Sequence, residues 1–129
     1  MSKLEFSTQL KKQELTLSTS EGDVDLEITE RTVGDSIYQN ELMKPMFDED
    51  DKLKANIPVA ALWLCKIKAV LKHPDGTRFY AGEDVFDLVD TLPGELIEEL
   101  NKVVDSVNPV QNVSESSEPE TIDTKKNKD

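Results

Sequence analysis

His73, Asp75, Glu83 and Asp84 lie within twelve residues, HPDGTRFYAGED, and could between them bind a cation or move a proton. A calcium loop of the EF-hand kind needs oxygen ligands at alternate positions before its glycine and a glutamate at its end. Here one aspartate precedes Gly76 and the alternating oxygens are missing. Asp48-Glu49-Asp50-Asp51 supplies four carboxylates, but no second cluster stands at ligand spacing. The acids next to Lys52 and Lys54 read as a solvated turn. No metal site and no cofactor is expected.

Nucleophilic chemistry fares no better. The single cysteine, Cys65, sits inside the apolar run IPVAALWLC, where a thiol packs as a small hydrophobe. A dyad with His73, the one histidine, would require that thiol to leave the core. The chain has no Gly-x-Ser-x-Gly elbow, phosphate loop or dinucleotide fingerprint. The residues predict no catalytic group and no enzyme. What remains is partner binding, for which Trp63, Phe79, Tyr80 and Phe86 are the candidates. Trp63 reads as a core anchor or as part of an exposed hot spot.

The chain of 129 residues suits one domain with a modest core. Hydrophobic content of 36% and aromatic content of 5% imply that part of it stays outside that core. The formal charge is −12. Residues 1–110 hold 22 acids against 12 bases, and residues 111–129 five against three, so the excess covers the folded part. Such a field repels phosphate backbones and anionic membranes and favours basic partners. The longest apolar run is about half the ~20 residues of a membrane span. The first residues lack the apolar core of a signal peptide, and one cysteine allows no internal disulfide, so a cytoplasmic protein is expected.

The elements that would position these residues read as follows. Residues 13–30 alternate apolar and polar on both sides of Ser20-Glu21-Gly22-Asp23, which predicts a β-hairpin with one face packed and one wet. Thr32 and Asp35 form a capping box for a helix whose inner stripe is Val33, Ile37, Tyr38 and Leu42. Pro45 ends it. Asn56 reads as the cap of a central helix over Ile57–Leu71, apolar nearly all round, with Lys66, Lys68 and Lys72 on its wet side. Pro74-Asp75-Gly76 is a tight turn, and Arg78-Phe79-Tyr80 a short extended piece with Phe79 on the core. Glu83 and Asp84 start a short helix that buries Val85, Phe86, Leu88 and Val89. After Pro93, Leu96, Ile97, Leu100, Val103, Val104 and Val107 give the stripe of a last helix. The fold class is mainly α with a small N-terminal β-hairpin (α+β). It forms a helical domain over residues 1–110, and a polar, acidic tail over 111–129 is expected to be disordered.

The ordered set of Ala60 to Leu64, Asp75-Gly76, Phe79, Glu83-Asp84-Val85, Leu92-Pro93 and Asn108 resembles the tail assembly chaperones of long-tailed bacteriophages. The resemblance spans roughly residues 13–110. It implies a non-enzymatic helical protein that binds the tape measure protein and tail tube subunits in the host cytoplasm and is absent from the finished virion. A homo-oligomer is compatible with it. Family members often have a longer frameshifted product, for which the codons of Lys125 and Lys126 are the candidate slippery run. Two rival readings are an acidic DNA mimic or inhibitor and a minor structural virion protein. Competition with DNA would reveal the first, and high copy number in purified particles the second.

Overall fold

The structure, a computed structural model, describes residues 3, 5 and 7–109. The expected tail over 111–129, with Lys125 and Lys126, lies outside the described residues. Two strands come first, β1 (Lys12–Thr19) and β2 (Gly22–Thr29), paired antiparallel with Leu15 opposite Leu26 and Leu17 opposite Val24. Gly22, at φ +114°, closes their turn in a conformation that side chains rarely adopt. Leu26 and Ile28 are fully buried, which is the packed face that the alternation predicts.

α1 (Val33–Met43) starts on the expected capping box: Thr32 Oγ1 accepts from the Asp35 amide and the Asp35 carboxylate accepts from the Thr32 amide. Pro45 turns its end into a single 3-10 turn, Lys44–Met46. A loop follows, closed by a bridge between Phe47 and Leu53, and the Asp48 carboxylate accepts from the amides of Asp50 and Lys52.

α2 (Val59–Val70) starts later than the sequence suggests, and Asn56 does not cap it. Pro58 explains why: its ring pushes the preceding Ile57 out of helical space, so the helix can form only from Pro58 onward. It also ends earlier. Leu71 and Lys72 leave the helix as β3 and pair with Ile28 and Glu27, which extends the hairpin into a sheet of order β1-β2-β3. The chain is therefore α+β with a three-stranded sheet. The turn at Pro74 to Gly76, where Gly76 has φ +94°, brings Arg78 back beside Lys72. Arg78 forms an isolated bridge and Phe79-Tyr80 a turn, so the expected extended piece is reduced to one residue.

α3 (Val85–Thr91) is capped by Asp84, whose carboxylate accepts from the Phe86 amide at 2.8 Å. α4 (Gly94–Val107) buries Ile97, Leu100 and Val104 from the predicted stripe. α2 is the hub. It packs on α1, α3, α4 and the sheet, and buries Ala61, Leu64, Cys65, Ile67, Ala69 and Val70.

Candidate partner-binding surface

The rotation of α1 about its axis decides which side chains the protein shows. The apolar pattern places Val33 and Ile37 inside. The structure reverses this: Val33 is 78% and Ile37 59% exposed, while Asp35 is 2% exposed. Two residues along an α-helix are about 200° of rotation, so burying Asp35 throws its neighbours at −2 and +2 to the opposite face. Tyr38 and Leu42 stay on the inner side with Asp35, as expected, and pack against the core.

Asp35 is buried because it has partners there. Lys72 Nζ donates to Asp35 Oδ2 at 2.9 Å, and Arg78 Nη2 donates to Oδ1 at 2.6 Å. Arg78 Nε donates to the Ala69 carbonyl at 3.1 Å, and its guanidinium lies 4.2 Å from the centroid of the Tyr38 ring. The start of α1 is thus pinned to the end of α2 and to the hairpin after it. Burial by itself would raise the Asp35 carboxyl; the Thr32 amide, Lys72 and Arg78 outweigh that and hold it below its ordinary value. Two charged donors on one carboxylate, with the cap amide as a third, leave little freedom for another rotation of α1.

The lysines expected on a wet side of α2 are not there. Lys72 is spent on Asp35, and Lys66 donates to Asp105 at 2.9 Å, tying α2 to α4. Lys68 is 3% exposed and donates to the Glu83 carbonyl. Burial lowers its pKa, opposed by the negative charge of Asp84. Helical spacing alone does not reveal that each long side chain has an oxygen to reach.

The four aromatic candidates differ in exposure, and Phe79 and Tyr80 adjoin. Tyr80 is buried, and burial pushes its phenol up. Trp63 and Phe79 are partly buried against the core. Phe79 lies 4.7 Å from Tyr80 and 5.4 Å edge-on from His73, centroid to centroid. Phe86, expected inside α3, is exposed, as is Val59 at the start of α2. The signal that marks the α1 ridge was available in one form only: an aspartate at the third helical position, with a lysine and an arginine flanking the turn at residues 74–76.

Among the described residues, no three His, Cys, Asp or Glu side chains converge as a metal cage would require. Cys65 is fully buried and its thiol is raised to about 11 by burial. Asp75 accepts from both the amide and the hydroxyl of Thr77, so it braces its own turn. No helix of the described residues is long and apolar enough to cross a membrane.

Among known proteins, no family profile matches the chain, and no curated sequence does. Among solved structures, the chain is similar to the tail assembly chaperone of bacteriophage HK97, at 13% identity and a TM-score of 0.47. The match covers 77% of this chain and 87% of that one. A likeness of this size carries no argument about function.

Proposed function

We propose that the protein is a tail assembly chaperone of a long-tailed bacteriophage. In this reading it holds the tape measure protein and tail tube subunits in the host cytoplasm during tail morphogenesis and is left out of the finished particle. The observation that carries the proposal is the apolar ridge of Val33 and Ile37 on a body of charge −12, set outward by the buried contacts of Asp35. The ordered motifs from Ala60 to Asn108 support it independently.

A holding chaperone needs apolar surface to share with a client and a charge that keeps the complex dispersed. One ridge of two side chains grips weakly. Many copies along a long helix-prone client hold it by mass action, and each can leave when the tail assembles. The acids also fit this reading better than DNA mimicry. Asp35, Asp48, Asp75 and Asp84 each accept from backbone amides, so they serve caps and turns instead of forming a row.

Co-expression with the tape measure protein of the same phage tests the proposal. The expected result is a soluble complex where the tape measure protein alone precipitates. A tape measure protein that stays insoluble with the partner present, or high copy number of this protein in purified virions, would overturn it.

A further inference from the structure

We infer that the outer edge of β1 pairs antiparallel with β1 of a second copy, about a two-fold axis at Thr16, to make one six-stranded sheet. β1 ends the sheet, and among the described residues nothing pairs with its outer side. The Glu30 amide donates to the Lys11 carbonyl at 2.7 Å. Backbone groups alternate sides along an antiparallel strand, so the odd-numbered residues bond to β2 and the N–H and C=O of Lys12, Glu14, Thr16 and Ser18 point outward. The strand runs eight residues in unbroken register, with no proline and no bulge. Natural edges are usually guarded by such features or by a free lysine. Lys12 does not serve as a guard, because its ammonium is 3.3 Å from Glu27 on β2.

The choice of a second copy rests on self-complementarity. With Thr16 opposite Thr16 of the second copy, Leu15 meets Leu17 and Glu14 meets Ser18, all within the strand. No like charges face each other, and the apolar faces join. Leu15 also lines an open groove of about 400 Å³ with Gln13 and with Lys102 and Val103 of α4, which Leu17 of the second copy would cover. Residues 11–21 carry two lysines and two glutamates, so this edge is neutral on a chain of charge −12. The repulsion between the two bodies is screened over about 8 Å at physiological ionic strength.

Sedimentation of the full chain across a concentration series, at physiological ionic strength, tests the inference. The expected species is a dimer of the 14.5 kDa chain. Thr16→Pro removes an outward N–H without touching the ladder to β2, and Thr16→Lys sets like charges on the axis. Each is expected to weaken dimerisation by about tenfold or more while leaving the thermal midpoint in place. Thr16→Cys fixes the register: paired residues at hydrogen-bonded positions stand about 5.5 Å apart, within disulfide reach. It should oxidise to a covalent dimer much faster than Ser18→Cys, which faces Glu14. A chain that stays monomeric throughout the series, a dimer indifferent to both Thr16 variants, or equal cross-linking of the two cysteine variants would overturn the pairing. So would a monomer whose edge is protected only by a client strand.

Discussion

The side chain of Asn108 accepts from the Arg31 amide at 2.7 Å, across 77 positions of sequence, and its amide nitrogen donates to the Thr29 carbonyl at 3.1 Å. Asn108, the C-cap of α4, thereby satisfies the last carbonyl of β2 and an amide of the link to α1. That link carries the capping box, so the end of the domain braces the point where α1 takes its rotation. Asn108→Ala leaves one donor and one acceptor without partners in a half-buried place. The expected cost is about 1–3 kcal/mol in denaturant unfolding. An unchanged midpoint would show that water replaces the amide freely.

Asp35 predicts a dependence on acid. Its folded pKa lies below its ordinary value, so the carboxylate's contribution is complete above that ordinary value and is lost as pH falls through the lowered one. Stability should therefore decline below about pH 4. Asp35→Ala leaves Lys72 nearly buried without its partner, whereas Arg78 can reach water. We expect a loss of about 3 kcal/mol at neutral pH and a flatter acid profile. If the variant keeps the acid slope of the parent, another carboxylate is responsible.

Cys65 predicts silence towards thiol reagents. It is fully buried, and its thiol is raised to about 11. At pH 8 the folded protein should not react with a disulfide reagent, and labelling should follow global unfolding in denaturant. Rapid labelling in native buffer would mean that α2 opens locally.

What could be read from the sequence, and what could not, divides along the kind of signal. The hairpin, the Thr32 cap, the turn at Gly76, the Asp84 cap and the stripe of α4 are local, and periodicity or a cap residue marks each. The third strand leaves no local mark, because Leu71 and Lys72 continue the pattern of α2 and only the free edge of β2 draws them away. Val33 and Ile37 of the α1 stripe face outward, against the rule that sends apolar residues to the core and charged ones to water, while Tyr38 and Leu42 follow it. The partners of Asp35 lie 37 and 43 positions away, so nothing in residues 32–43 reveals them. The same rule misplaces Lys68, which is buried, and Phe86, which is exposed.

The outward face of α1 yields the prediction that separates function from stability. Val33 and Ile37 contribute little to the core, since most of each side chain already meets water. Replacing both with serine should change unfolding free energy by no more than about 1 kcal/mol, the sum of two ordinary surface changes. Leu64, by contrast, is fully buried on α2, and Leu64→Ala should cost about 2–5 kcal/mol. If the ridge grips the client, the serine pair abolishes its solubilisation while the protein melts as before. Leu64→Ala should then retain client binding at temperatures where it is still folded. Full solubilisation by the serine pair would remove the ridge from the mechanism and move the search to Phe86 and Val59, the exposed apolar side chains at the starts of α3 and α2.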